Sequence, residues 1–319
     1  MSLSVRPDEP ADENIWDDFC TRALQATLLH TRRFLSYHGD RFVDCSLIIE
    51  DDGTWVGLFP AAHSLLDPTC VVSHPGITYG GILHSGDLRG ESMVSALAEI
   101  CQHYHGQGLA KLTYKVVPSF YHRAPAQDDI YALFRLGATR PRCDMSSTID
   151  LQHRLPVSER RRRSLKKAMK LGVEIVEGSR YLPNMWDVLV ENLASKHGTN
   201  PVHSLEEIEL LADRFPEEIR CICAQMNGNV VAGVLLFATP TTHHAQYIAS
   251  SETGYMVSAL DLVFEYAIKS ASAQGRRWFD FGISNENQGK ALNDGLYRFK
   301  SEFGGGGTVH EFFELKLVA

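Results

Sequence analysis

No stretch of this sequence reaches the about 18 uninterrupted apolar residues of a membrane-spanning helix, so nothing in it is expected to cross a bilayer. Positive charge is also in short supply. Lys and Arg total 31 against 39 Asp and Glu, a formal net charge of -8, which argues against broad adhesion to nucleic acid or anionic lipid but leaves room for a local basic site. The seven cysteines are scattered, with no C-x-x-C pair, the pattern of reduced thiols in a cytoplasmic protein. Asp8, Glu9, Asp12 and Glu13 stand where a secretory signal needs basic residues and then an apolar run, which also points to a cytoplasmic location. A G-x-S-x-G elbow, a Walker loop and an H-E-x-x-H helix are missing, so hydrolase, P-loop and zincin chemistry lack support. Asp280-Phe281-Gly282 has none of the other kinase motifs around it. His243-His244 and His103-x-His105 have no carboxylate or cysteine at ligand spacing, so no metal is expected and a surface or core position suits them better.

What is present is a mixed α/β pattern. At 319 residues with 44% hydrophobic, the chain suits two domains of ordinary size. Asp51-Asp52-Gly53 and Asn227-Gly228 each sit between two apolar runs, and such pairs favour the positive φ angles of tight hairpin turns. After each hairpin a further strand is expected, at His74 to Leu83 and at His243 to Ser250. A helix follows in both halves. In the second, Leu260, Val263, Phe264, Ala267, Ile268 and Ala271 recur at helical spacing, and Ser258 with Asp261 resembles a capping pair that starts the helix near Ser258. In the first, Met93, Leu97, Cys101 and Tyr104 form the corresponding stripe. Each half continues with a strand (Leu112 to Val117, Trp278 to Ile283), a helix around a tyrosine (Tyr131, Tyr297) and a last strand (Ser146 to Leu151, Val309 to Leu317). The same order thus occurs twice, which predicts two copies of one α/β domain, 1–155 and 156–319, with the boundary near Leu155 and Pro156. Between them Arg160 to Lys170 reads as a basic helix with Leu165, Ala168 and Met169 inward and Arg162, Lys166 and Lys170 outward. Cys221 and Cys223 alternate along a strand and read as core-facing.

Candidate chemistry clusters in a few places, each with a plainer reading beside it. The turn Ser250 to Ser258 leads into a helix start, where backbone N–H groups and the helix dipole favour a phosphate, although most capped helix starts bind nothing and Glu252 opposes an anion. His74, Tyr79, Lys115, Tyr121, His122 and Arg123 lie at strand ends near Gly76, Gly80 and Gly81, as a ligand site or as turn glycines with half-buried aromatics. His197, Gly198 and His203 form a similar polar cluster with the capping pair Ser204 and Glu207. A histidine titrating near neutrality can take a proton from an amine, and it can equally be structural. Seven positive charges between Arg160 and Lys170 are either a solvated helix face or a grip for a diphosphate.

Taken together, several segments resemble a known family. The second hairpin, the strand His243 to Ser250 and the Ser-rich turn into a helix resemble the GNAT acyltransferase domain. Phe279-Asp280-Phe281-Gly282-Ile283-Ser284, Gly295-Leu296, Phe299-Lys300, Phe303-Gly304 and the basic run from Arg161 to Gly172-Val173 resemble its Fem-like branch, which has two tandem GNAT-like domains. His74-Pro75-Gly76, Tyr79-Gly80-Gly81, Tyr114-Lys115, Tyr121-His122-Arg123 and Pro201-Val202-His203-Ser204 are similar to a subgroup found with surface-polysaccharide biosynthesis. The resemblance implies two mixed, largely antiparallel sheets flanked by helices, with the acceptor on the 1–155 side and acyl-coenzyme A on the 156–319 side. The implied reaction is N-acylation of a nucleotide-linked amino sugar; the alternatives are aminoacyl-tRNA-dependent transfer to a peptidoglycan precursor, or a non-catalytic binding protein. Two features depart from the family: the long coiled-coil insertion of many Fem transferases is missing, and no Q/R-x-x-G-x-G/A run lies between Ser250 and Ala259.

In that reading Gln246, Tyr247, Ile248, Ala249 and Ser250 pair the pantetheine amides. Gly254 to Ser258 hold the pyrophosphate, with Ser284, Asn285 and Lys300 nearby. The base is His203 or His122, then His197 or His74, unless positioning alone suffices. Tyr297 protonates the leaving thiolate, and a backbone N–H after Tyr247 stabilises the oxyanion. Tyr79, Lys115, Tyr121, Arg123, Arg162, Lys166 and Asp280 meet the acceptor. The expected partners are acyl-coenzyme A and the amino sugar nucleotide, with a homodimer left open.

Overall fold

The computed structural model describes residues 3–318, apart from the side chains of Lys196 and His197. The chain forms two compact units: one holds the chain up to Asp144 together with 287–290 and the stretch from Val309 on, the other 145–286 and 291–308.

In the first unit, β1 (Leu3–Pro7), β2 (Leu47–Asp51) and β3 (Thr54–Phe59) make a three-stranded antiparallel sheet, with α1 (Glu13–Arg22) and α2 (Arg32–Leu35) between β1 and β2 in the chain. The β2–β3 turn has positive φ at Asp52 and Gly53, as Asp-Gly predicts. Then come β4 (Ala62–His63), β5 (Cys70–Val72), α3 (Glu91–Gly106), β6 (Lys111–Lys115) and α4 (Asp128–Arg135). Met93, Ala96, Leu97, Ile100 and Tyr104 form the buried stripe of α3, which packs with Ile49, Phe59, Leu112 and Tyr114. Each such aliphatic or aromatic side chain contributes about 1.5–3 kcal/mol by leaving water.

Strand β7 (Thr139–Asp150) leads into the second unit, whose elements are α5 (Glu159–Lys170), β8 (Glu174–Glu177), α6 (Leu182–His197), α7 (Leu205–Arg214), β9 (Ile219–Met226), β10 (Asn229–Ala238), β11 (Thr242–Ser250), α8 (Glu252–Val257), α9 (Ala259–Ala273), β12 (Trp278–Ile283), β13 (Asn285–Glu286), β14 (Ala291–Leu292) and α10 (Asp294–Ser301), followed by β15 (Gly306–Lys316). Its sheet runs β7-β12-β11-β10-β9-β8, parallel only between β11 and β12. One face carries Val234, Leu236, Phe279 and Phe281 into a core with Val263, Phe264, Ala267 and Phe303, with α9 supplying the stripe expected of it. On the other face a Cβ at Gly233 would meet Met185 of α6 at 2.9 Å, so glycine there lets helix and sheet approach.

Four expectations change. The strand expected at His74 to Leu83 is irregular: β5 stops at Val72, His74 adopts φ +54 and Gly81 φ +87, and only an isolated bridge pairs Leu83 with Leu58. The helix expected to start near Ser258 is preceded by α8, and Ser258 is a left-handed residue between the two with no capping side-chain bond, because Asp261 bonds Arg161 at 2.8 Å instead. On α5 Ala168 is buried as expected, but Met169 is 63% exposed and Arg161, held by Asp261 and Glu302, is the buried residue. The last strands change places. Residues 146–150 pair with β12 in the second unit, whereas 312–316 of β15 pair with β6 in the first, Phe312 opposite Lys115.

Candidate acyl-transfer site

The second unit contains a strand edge with a free side. β11 pairs with β12 through three rungs, the last joining His244 to Asp280, and beyond it β11 continues to Ser250 paired with β10 alone. The β10 register slips between Leu235 and Leu236, opposite Tyr247 and Ala245, so Gln246 is an extra residue bulging from the ladder. β12 turns away at the same level, with a register break between Asp280 and Ile283 and φ +74 at Gly282. Backbone groups of residues 245–250 thus face a gap that no strand fills among the described residues. An extended chain with amide groups fits such an edge by strand addition.

Polar side chains gather on the sheet face opposite the α9 core. Asp280 is fully buried; its Oδ1 accepts from Ser146 Oγ at 2.5 Å and Thr148 Oγ1 at 3.0 Å, and its Oδ2 lies 2.7 Å from His244 Nδ1. Thr148 Oγ1 is 2.6 Å from Thr308 Oγ1. Farther along β11, Tyr247 packs edge-on to Trp186, and its hydroxyl lies 2.6 Å from His203 Nδ1 and accepts the His203 backbone N–H at 3.3 Å. Burial pushes the Tyr247 phenol above its ordinary value.

The expected coenzyme-binding residues fare unequally. Gln246, Tyr247 and Ile248 lie half-buried on the open edge, with Ala249 and Ser250 buried beyond them, and the Ser250 carbonyl accepts from Asn192 at 2.6 Å. Gly254 already gives its N–H to the Ser251 cap at 3.1 Å, and a Cβ there would sit 2.2 Å from the Val231 carbonyl, so this glycine serves helix packing. Lys300 donates to the carbonyls of Gly282 and Ile283 at 2.9 and 2.6 Å, holding the bulge of β12; burial, opposed by Asp280, lowers its pKa to about 8. Asn285 accepts the Met145 N–H, and the buried Ser284 hydroxyl has no hydrogen-bond partner among the described residues. Tyr297 is half-buried on α10.

Of the expected bases, His203 lies beside the open strand through Tyr247. His122 and His74 belong to the first unit and are buried, which lowers them to about 4 and about 3, the latter also pressed by His38. The His197 side chain lies outside the described residues. Among the expected acceptor contacts, Tyr79 and Tyr121 are buried and packed 4.5 Å apart, and Lys115 is buried with its ammonium on the His74 and Ile77 carbonyls, burial lowering it to about 7. Arg123, Arg162 and Lys166 are exposed. Asp280 is an internal anchor, buried beneath His244, so a surface contact with an acceptor does not suit it. Spacing gave no hint of the His244–Asp280 pair, whose members are 36 residues apart; the hint available was Phe279-Asp280-Phe281, a carboxylate between two core aromatics.

Residues 156–301 match the family model described as acetyltransferase (GNAT) domain. The chain carries a GNAT acyltransferase domain. It is accordingly a transferase. No curated protein matches the sequence. Among solved structures the chain is similar to FemX (TM-score 0.69, 12% identity, covering 99% of this chain and 98% of that one). It is also similar to a tandem GNAT protein from the clavulanic acid biosynthesis pathway (0.54, 12%, 100% and 99%) and to L-PGS from Bacillus licheniformis (0.60, 13%, 88% and 85%). At these identities the likeness concerns the fold, a mixed α/β architecture shared with tandem GNAT proteins. No helix among the described residues is long and apolar enough to cross a membrane.

Proposed function

We propose that the protein is an N-acyltransferase that moves an acyl group from acyl-coenzyme A to the amine of a nucleotide-linked amino sugar, in glycan or surface-polysaccharide biosynthesis. The observation that carries the donor half is the open edge of β11 from Ala245 to Ser250 beside the parted β12. Pantetheine amides pair with this edge, and a backbone N–H beyond the Gln246 bulge faces the carbonyl oxygen as negative charge develops on it. The engaged Gly254 amide makes the Gly254–Ser258 turn a weak diphosphate holder, so the pantetheine arm supplies most of the donor's affinity. The second unit is the donor side in this reading and the first the acceptor side. The acceptor assignment rests on the sequence resemblance alone.

The experiment is a thermal-shift panel of acyl-coenzyme A thioesters and amino sugar nucleotides, followed by thiol release from any pair that stabilises. A ligand at 100 times its Kd adds about 2.7 kcal/mol of stability. Stabilisation by both classes, and thiol release requiring both, is expected; stabilisation by neither overturns the proposal. A second reading, aminoacyl-tRNA-dependent transfer, is favoured by one observation, the exposed cations Arg162, Arg163, Lys166, Lys167 and Lys170 on α5. It predicts aminoacyl-tRNA binding that weakens steeply with salt.

A further inference from the structure

We propose that His244 is the catalytic proton acceptor of the acyl transfer and Asp280 its positioning residue. The inference rests on the reading of the β11 edge as the donor site.

Three observations carry it. His244 and Asp280 form the last rung of the β11–β12 ladder, so the imidazole stands where the strands part, one residue before the open edge begins. Asp280 is fully buried and three side chains converge on its carboxylate: Ser146, Thr148 and His244, the last at 2.7 Å through Nδ1. A carboxylate on Nδ1 fixes the tautomer that carries the proton there, leaves Nε2 as the basic nitrogen, and stabilises the imidazolium once Nε2 is protonated. Finally, the β12 backbone makes room for the ring: a Cβ at Gly282 would lie 3.3 Å from His244 Cε1, and this residue adopts φ +74. Lys300, whose ammonium is occupied by the Gly282 and Ile283 carbonyls, adds a positive charge that interacts with Asp280. The side chain of His244 retains 10% exposure, whereas that of Asp280 has none, so the histidine is the solvent-facing member of the pair.

The adjacent His243 shows the contrast. It pairs with Phe279, is fully buried, and burial lowers it to about 3. It is built to remain neutral, whereas His244 is built to be oriented.

The step balances as follows. The acceptor ammonium gives one proton to His244 Nε2 and keeps its electron pair, which forms the C–N bond to the thioester carbonyl carbon. The C–S bond breaks with its electron pair on sulfur, the second proton of the nitrogen ends on the thiolate, and the imidazolium returns its proton to solvent. The products are the amide, the thiol and one proton.

The test uses the full chain, His244→Gln and Asp280→Asn, with the donor and acceptor pair found by thiol release. Three quantities are read: the pH dependence of kcat/KM, the affinity for coenzyme A by calorimetry, and the His244 tautomer in 15N-histidine spectra. His244→Gln is expected to lower kcat/KM by about 10²–10⁴-fold and to remove the acidic limb of the profile, with coenzyme A affinity within about threefold of wild type. Asp280→Asn is expected to shift that limb and to change the tautomer, effects that a purely structural anchor does not produce. The proposal is overturned if His244→Gln stays within about threefold of wild type, if donor affinity falls in step with turnover, or if the wild-type ring carries its proton on Nε2. Failure of the donor reading looks different: wild type itself then releases no thiol from acyl-coenzyme A with any amine. If it turns over aminoacyl-tRNA instead, the same variants are read with that donor, and if it turns over neither, both proposals fall.

Discussion

The two units treat one strand arrangement in opposite ways. Each has a parallel pair three rungs long, Cys70–Val72 with Lys111–Thr113 in the first and Thr242–His244 with Trp278–Asp280 in the second. In the second the longer strand runs on with an open edge. In the first the chain folds back and fills the equivalent space. Ser73 donates its N–H to the Thr113 carbonyl, Gly80 donates to Lys115, and Lys115 donates its N–H to Ser73 Oγ and its ammonium to the His74 and Ile77 carbonyls. Satisfying backbone groups internally closes an edge to any incoming chain. A repeated fold therefore does not imply a repeated site, and the difference lies in about ten residues after a short strand.

The largest test of that contrast is amide exchange with and without acyl-coenzyme A. At 100 times the Kd, amides on residues 246–250 should slow by about 100-fold and those on 73–83 should not; protection of both segments would abolish the contrast.

Acid should separate the units next. In the first unit burial lowers His30 and His74 to about 3 and His122 to about 4, against an ordinary value of 6.5. Their contribution is fully present above pH 6.5 and is lost as pH falls toward the folded values, because the unfolded state binds the protons first. Asp8 and Asp129, raised by burial to about 6, work the other way between about 6 and 3.8. The second unit balances one lowered histidine, His243, against one raised aspartate, Asp261. His84 and His103 are lowered too and Asp17 is raised, so among the described residues of the first unit lowered histidines outnumber raised aspartates, and this unit should lose stability faster than the second as pH falls through this window. Segment-resolved exchange at pH 7 and pH 5 checks this.

Glycine-to-alanine changes sharpen the picture further. A Cβ at Gly80 would lie 2.0 Å from the Ser73 carbonyl and one at Gly254 2.2 Å from the Val231 carbonyl, so each should cost about 1–3 kcal/mol in urea unfolding. Gly254→Ala should leave coenzyme A affinity within about threefold; a much larger loss would return the diphosphate to that turn.

A last test concerns Lys115. Since burial lowers it from 10.5 to about 7, its charged form is penalised in the native state below pH 7, and the penalty fades as pH rises to 10.5. Relative to wild type, Lys115→Met should be more stable at pH 6 than at pH 10, and equal stability differences at both would show that the ammonium is better solvated than its burial suggests.

Local chemistry was legible and long-range pairing was not. Asn227-Gly228 and Asp52-Gly53 turn where expected because positive φ is a property of those residues, and the α9 stripe follows from helical periodicity. Ser258 and Asp261 misled because a capping pair and a buried ion-pair partner look alike until Arg161, 100 residues away, is in view. His74 to Leu83 has strand composition, yet Pro75 and three glycines let it fold back. For the candidate site, the β11 residues were identifiable from their order after a hairpin. His244 and Asp280 were not, since register between parallel strands joined by a helix is written in no local pattern.

The last strand has a consequence for how the protein is made. Its residues 312–316 pair with β6, so the unit encoded first cannot finish until the second unit between them has been translated. A ribosome-bound nascent chain would hold the unpaired rim of β6 exposed throughout that interval, which makes it a natural point for chaperone attention and for misassembly when synthesis stalls.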